Sequence, residues 1–515
     1  MVIEGFRAPP TPIETPVSTT RESTFRPAVL LMAGRALASI ATLLIPVTLV
    51  RVFDQSEYGT YKQLFLVFTT LYSVALVGLS DSLYYFVPRD PAKGGRYVAN
   101  AVVGLSFAGM TCLAFLHEAR FLVAGWMKNE ALAEHLDSIG VFLLFTLVAT
   151  VLEIALIARK RYSRASAAYV ASDVVRALCF VLPMLFLPSL HMLMWWAMVF
   201  SALRLMVALA LLKKEFGQDL RFDRGLLPAQ LAYALPFALY VLVEILQATF
   251  HQYAVSWTFD AATFAIYSVG CFQVPFVDFL ATPASSVMMV RMSEEMREGR
   301  SKEALSIWLD ITRKLALIFF PMVALLIATS REVITFLFTD AYAASAPIFA
   351  LWALTIALSV LQTDGVMRVH AQIRFLFLVN VARLGLIVVF IGPLMAAFGL
   401  EGPVLVTLLA MALAKGLHLF RMRRIMKLEL RELLPWPSLG ATLGVSVMAM
   451  APVLAIRALV AGPRLLVLLL EGASFGLTYL LLLFGMGIIN LEERAAIRRF
   501  LRLSVLGSPA PAGSR

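Results

Sequence analysis

The sequence predicts an all-α polytopic membrane protein of fourteen transmembrane helices, built as two pseudo-symmetric six-helix lobes plus two C-terminal helices. Three observations lead there. Of the 515 residues, 60% are hydrophobic and 15% charged, with mean hydropathy +0.83, against roughly 45–50% apolar and 25% charged in soluble globular chains. Apolar runs recur at the length of about 20 residues that one helix needs to cross a bilayer. Finally, Phe53-Asp54-x-x-x-Tyr58-x-x-Tyr61 returns 206 residues later as Phe259-Asp260-x-x-x-Phe264-x-x-Tyr267, which points to duplication.

In chain order, residues 1–27 are polar and proline-rich. No short apolar core with a small-residue cleavage site precedes the first span, so they read as a disordered cytoplasmic tail rather than a signal peptide. The first lobe, 28–230, holds apolar segments at 28–50, 64–86, 98–116, 138–158, 166–188 and 190–212. The second, 231–430, holds segments at 232–254, 264–290, 315–338, 345–365, 374–397 and 402–420. Segments 438–460 and 465–489 fill 431–490, and 491–515 reads as a second cytoplasmic tail, Gly/Ser/Pro/Ala-rich from Gly507.

Orientation follows from Lys and Arg in the connections, because basic loops stay on the cytoplasmic side. The tails and even-numbered loops hold 32 of the 44 cations, including Arg159-Lys160-Arg161 and Lys213-Lys214, and the odd-numbered loops hold seven. Both termini are therefore expected in the cytoplasm. Basic residues facing anionic head groups also account for the net charge of +11 without nucleic acid.

What the chain lacks excludes several functions. No predicted loop approaches the roughly 50–200 residues of a soluble catalytic domain, and no G-x-x-x-x-G-K-[ST] run offers a nucleotide phosphate cradle. Gly472-Ala473-Ser474-Phe475-Gly476 fits the G-x-S-x-G pattern, but it lies in an apolar 20-mer rather than a strand–turn–helix and reads as small residues that let helices approach closely. Cys112, Cys179 and Cys271 are far apart, with no metal-ligand spacing. No cofactor or metal is expected. The connection 291–314 carries Met296, Leu305, Ile307 and Trp308 at helical spacing, which suggests an interfacial amphipathic helix or a solvated linker with one helical turn.

The informative residues are charges inside apolar segments: Arg35, Arg176, Arg204, Arg383 and Lys415, with Glu153, Asp173, Glu244, Asp278 and Glu471. A cation at a helix centre costs about 2.5–3.5 kcal/mol to insert, so these must face protein or water. The five cations fall at one depth and suggest a cavity lining. Arg176 and Arg204 are echoed 207 and 211 residues later by Arg383 and Lys415. Asp173 precedes Arg176 by three residues and can pair with it on one helix face, whereas the corresponding position before Arg383 is Asn380. Arg383 thus lacks a local acid and is the better candidate for a ligand. The competing reading is that each cation merely neutralises a buried acid, and Arg35 can instead snorkel to the surface. Glu244 and Asp278 are candidate ion-coupling carboxylates, Glu244 sharing a helix stripe with Gln247 and His251.

Arg51-Val-Phe-Asp54-Gln-Ser-Glu-Tyr58-Gly59-Thr-Tyr61 and Gly78-Leu-Ser-Asp81-Ser-Leu-Tyr-Tyr-Phe-Val-Pro88-Arg89 resemble the first loop and second helix of the polysaccharide transporters. These are Wzx-like O-antigen and capsule flippases of the multidrug/oligosaccharidyl-lipid/polysaccharide exporter superfamily. The resemblance implies a bacterial inner-membrane protein that turns a polyprenyl-diphosphate-linked oligosaccharide between leaflets. It further implies a cationic cavity for the diphosphate, two C-terminal helices beside the lobes, contact with membrane lipids and traffic with glycan polymerase and assembly proteins. A drug or organic-cation antiporter of the same superfamily is the first alternative. A membrane-embedded glycan polymerase or ligase is the second.

Overall fold

In the computed structural model, residues 42–488 are described except 77 and 461. The first half contains α1 (Thr42–Val52), α2 (Gln55–Leu76), α3 (Ser82–Arg89), α4 (Gly94–Glu118), α5 (Arg120–Trp126), α6 (Leu132–Ala149), α7 (Val151–Ala158), α8 (Tyr162–Phe186) and α9 (Leu190–Phe216). The second contains α10 (Leu227–Thr258), α11 (Ala261–Gly270), α12 (Phe276–Arg297), α13 (Ser301–Ala328), α14 (Ser330–Phe338), α15 (Ala346–Ser359), α16 (Thr363–Val369), α17 (Ile373–Phe398) and α18 (Gly402–Met426). There follow α19 (Trp436–Met448), α20 (Met450–Leu459) and α21 (Arg464–Gly485). The described residues form helices, turns and connections without strands.

Each of the fourteen apolar segments falls on helix among the described residues, which for the first segment begin at Thr42. Nine helical stretches among the described residues are long and apolar enough to cross a membrane, one of which, Ile373–Met426, holds two of the predicted segments. The chain is a multi-pass membrane protein. The second segment of each half is not one helix but two, α2/α3 and α11/α12. Irregular backbone at membrane depth is tolerated where it lines a cavity, and the α11/α12 break at 271–275 does so.

The internal echo has a structural meaning. Asp54 accepts a hydrogen bond from the Glu57 amide at 2.8 Å and caps the start of α2; Asp260 accepts one from the Thr263 amide at 3.0 Å and caps α11. An aspartate in that place satisfies an amide that the first helical turn leaves unpaired. Behind the caps, Tyr58, Tyr61, Phe264 and Tyr267 enter one apolar core, where α2 and α11 pack against each other.

Hydrogen bonds also tie the halves together at this end. Arg51 donates to the Leu337 and Phe336 carbonyls, both at 2.7 Å, and Gln55 to that of Ala341 at 2.6 Å. Gln63 reaches Ser256 Oγ at 2.7 Å, and Lys128 reaches the Thr258 carbonyl at 2.9 Å. At the more basic end, the connection between halves is fastened to α4: Arg96 pairs with Asp219 and Asp223 at 3.4 and 3.1 Å, and Asn100 exchanges two 2.9 Å bonds with the Asp223 backbone.

Two expectations are corrected. Residues 291–314 are neither an interfacial helix nor a linker: α12 runs to Arg297, α13 starts at Ser301, and Gly299 turns between them at φ +74°. The apolar face of this hairpin packs on Met367, Met422, Leu433 and Leu434, and the buried Trp308 indole donates to the Leu433 carbonyl at 2.9 Å. In α21, Gly472 and Gly476 meet no neighbouring helix among the described residues; a Cβ on either would find no described atom within 4 Å. The packed face is instead Phe475, Tyr479 and Leu483, set against α13 residues Ala324 and Ala328. Among the described residues Ser474 bonds only to the Glu471 carbonyl of its own helix, at 3.0 Å, within a continuous helix rather than an elbow.

Candidate functional site

The spacing of small and charged residues on α8 and α9 turns two arginines inward. A cavity of about 550 Å³ is walled by α1, α2, α6, α8 and α9, and closed on the far side by Phe272 and Pro275 of the α11/α12 break. Its aromatic wall carries Arg176, Arg204, Lys62 and Asp173. Arg176 pairs with Asp173 at 2.8 Å, as the three-residue spacing predicted, and also donates to Thr42 Oγ1 at 2.9 Å. Arg204 pairs with Glu153 at 2.8 Å, and that carboxylate is 3% exposed. Such a pair in a dry site is held by geometry, because either member alone would be a stranded charge.

Arg383 occupies a second cavity of about 270 Å³, which shares Phe272 with the first. Asp278, Gln247, Gln252, Gln273 and His251 stand around it. Among the described residues Arg383 makes no hydrogen bond or ion pair, and its Nε is buried without a partner. Two of the neighbouring polar groups are committed elsewhere: Gln247 donates to the Asn380 carbonyl at 2.8 Å, and His251 Nδ1 lies 2.6 Å from the Tyr267 hydroxyl. The predicted stripe on α10 is split, since Gln247 and His251 line this cavity whereas Glu244 is exposed outside it.

Lys415 does not line either cavity. Its ammonium lies 3.4 Å from Asp364 Oδ1, which His418 Nδ1 approaches to 3.0 Å. This pair repeats the first half: Glu153 and Arg204 are 51 residues apart, as are Asp364 and Lys415, and 211 residues separate the two pairs. The structure therefore brings Arg176 and Arg204 together, sets Arg383 next to them and Lys415 apart, rather than forming a single ring. Arg35 lies outside the described residues.

Sequence reasoning missed two residues. Lys62 precedes the second apolar segment, 64–86, and so counts among the seven cations of the odd-numbered loops, but its Nζ stands 5.5 Å from the Tyr58 ring centroid and lines the central cavity. Asp364 was overlooked because it closes its apolar segment; the 211-residue offset from Glu153 was the available signal. No group of three or more His, Cys, Asp or Glu among the described residues forms a metal site.

Comparison with known proteins places this arrangement. A structure of the lipid II flippase MurJ in an inward closed conformation matches with a TM-score of 0.71 at 13% identity, covering 92% of this chain and 100% of that one. A transporter of the MOP superfamily from Pyrococcus furiosus, described as having a binding pocket of reversed polarity, matches at 0.56 and 15% identity over 79% and 96%. An outward-facing multidrug resistance MATE transporter of that superfamily matches at 0.53 and 16% identity over 78% and 95%. At these identities the likeness is one of fold. No curated protein sequence matches. The family model described as "Polysaccharide biosynthesis protein" matches residues 48–347, well over half of the chain; the chain belongs to that family.

Proposed function

We propose that this protein is a flippase that carries a polyprenyl-diphosphate-linked oligosaccharide across the bacterial inner membrane. The cargo would be an O-antigen, capsule or exopolysaccharide repeat unit, and the route alternating access between lobes 28–230 and 231–430 with both termini cytoplasmic. The observation that carries the reading is the charge balance of the central cavity, where Lys62, Arg176 and Arg204 line the wall and the two carboxylates paired with the arginines, Asp173 and Glu153, leave one positive charge in excess. Guanidinium groups match a phosphate with paired donors. Arg383, with its donors uncommitted, stands beside that cavity as the strongest single anion contact.

In this reading the diphosphate enters among Lys62, Arg176 and Arg204 and gains Arg383 as the cavities join across Phe272. Aromatic walls suit the faces of sugar rings. The bonds from Arg51, Gln55, Gln63 and Lys128 hold one end closed and must break for the lobes to rock. Asp278, in the Arg383 cavity, is placed to carry a coupling cation; Lys415 is tied to Asp364 and acts at longer range. Mass spectrometry of lipid copurifying from native membranes tests the reading. Polyprenyl diphosphate bearing a single unaltered oligosaccharide unit is expected; lengthened glycan chains would support a polymerase instead, and bound organic cations a drug antiporter.

A further inference from the structure

A third cavity, of about 570 Å³, opens inside the first half between α7, α8 and α9; it shares Phe200 and Arg204 with the central cavity and continues to a rim at Arg164, Lys214 and Glu215. Its shaft is apolar, walled by Leu152, Leu156, Ala168, Ala171, Leu203 and Val207. From Phe200 at its depth to Glu215 at its mouth, α9 rises about 22 Å at 1.5 Å per residue. The volume falls in the range of roughly 300–1,000 Å³ typical of ligand sites.

The mouth is polar and unbalanced. Glu215 receives Arg159 and Arg161 at 3.6 Å and Arg164 at 3.1 Å, and Lys214 lines the same rim. One carboxylate cannot neutralise four cations, and the Arg161 and Arg164 side chains remain 56% and 63% exposed. At the inner wall, Glu153 is bound to Arg204 through Oε1; its Oε2 and Arg204 Nε are buried without partners among the described residues.

We infer that this cavity binds one anionic membrane phospholipid, with an acyl chain in the shaft and the phosphate at Arg164 and Lys214. Three features select that occupant. The shaft is a hydrocarbon-lined slot within a membrane-spanning bundle. Its mouth lies where helices end in basic residues, the level of anionic head groups, each basic residue there contributing about 1 kcal/mol to anionic lipid binding. A soluble anion would fill the rim but leave the shaft empty, and an uncharged amphiphile would fill the shaft but leave the cations unmatched. The inference is independent of the proposed flipping reaction, because the residues varied in its test, Arg164, Lys214, Ala167 and Ala171, do not line the central cavity.

The test is native mass spectrometry of the delipidated full-length protein, titrated with phosphatidylglycerol or with phosphatidylcholine of the same chains. One phosphatidylglycerol should bind at about tenfold lower concentration than phosphatidylcholine, a preference that Arg164→Gln with Lys214→Gln should abolish. Ala171→Trp, which fills the shaft from an exposed α8 position, should remove the bound lipid, and Ala167→Leu serves if that variant does not fold. Val174→Trp, on the outer face of α8, should bind as the parent does. Equal binding of the two lipids, displacement of phosphatidylglycerol by inorganic phosphate, or unchanged binding in both shaft variants would overturn the inference.

Discussion

Gly59 of α2 lies so close to Ala261 of α11 that a Cβ there would overlap the Ala261 carbonyl. Backbone rather than a movable side chain blocks the space, so nothing nearby can give way. This contact joins the two capped helices of the internal echo, next to the hydrogen bonds that close one end of the molecule. Gly59→Leu should force α2 from α11, an overpacking that typically costs 1–3 kcal/mol. It should lower the melting temperature and increase thiol labelling of a cysteine introduced at Ser256. Parental values for both would mean that this end is not held by that approach.

The matching caps make a second test. Asp54→Ala and Asp260→Ala should each destabilise by about 0.5–2 kcal/mol, and Asn replacements by far less, since Asn also caps. Hydrogen bonds from the Thr263 hydroxyl and amide hold the Asp260 carboxyl below the ordinary carboxylate range. A depressed folded-state pKa gives stability that is full above the unfolded value of about 3.9 and lost as pH falls through the folded one. The gap in melting temperature between parent and Asp260→Ala should therefore be constant near neutrality and shrink in acid.

The paired arginines should separate by role. Sequence spacing assigned the structural part to Arg176, yet Asp173 is 26% exposed to its cavity while Glu153, the partner of Arg204, is 3% exposed. Arg204→Ala should strand that carboxylate at about 3–5 kcal/mol and reduce folded protein sharply. Glu153→Gln with Arg204→Gln should recover much of the yield, and Arg176→Ala should cost less folding than Arg204→Ala. Fluorescence-detected size-exclusion profiles of the three variants and the parent measure this order.

What the sequence disclosed depended on how local each signal was. Helical segments were legible because a bilayer demands long apolar runs, and Asp173 with Arg176 because residues three apart share a helix face. Arg383 stood out because Asn380 removes its local acid, and among the described residues it forms no ion pair, Asp364 and Glu244 acting on it only at longer range. Asp364 and Lys62 were missed because their neighbours are set by packing: Asp364 meets Lys415 across two helices, and Lys62 faces inward only because α2 is helical from Gln55. The 291–314 hairpin was misread for the same reason, its apolar face being covered by residues 367–434.

The two candidate coupling carboxylates are no longer equivalent. Asp278 shares the Arg383 cavity, whereas Glu244 is exposed outside it. Asp278→Asn should remove the dependence of transport on an ion gradient while leaving substrate binding largely intact, and Glu244→Gln should keep that dependence. Proteoliposomes with imposed proton or sodium gradients give the comparison.

The central claim is that cavity cations, Arg383 foremost, bind the diphosphate during translocation. Its most direct test reconstitutes the protein with a fluorescent polyprenyl-diphosphate oligosaccharide and follows, with an impermeant quencher, how fast the labelled sugar changes leaflet. The parent should equilibrate the label. Arg383→Ala should fall to the protein-free rate at an unchanged melting temperature, and Arg383→Lys should restore little, because a point charge does not reproduce a bidentate fork. Parental rates in Arg383→Ala, or no movement with the parent protein, would contradict the account.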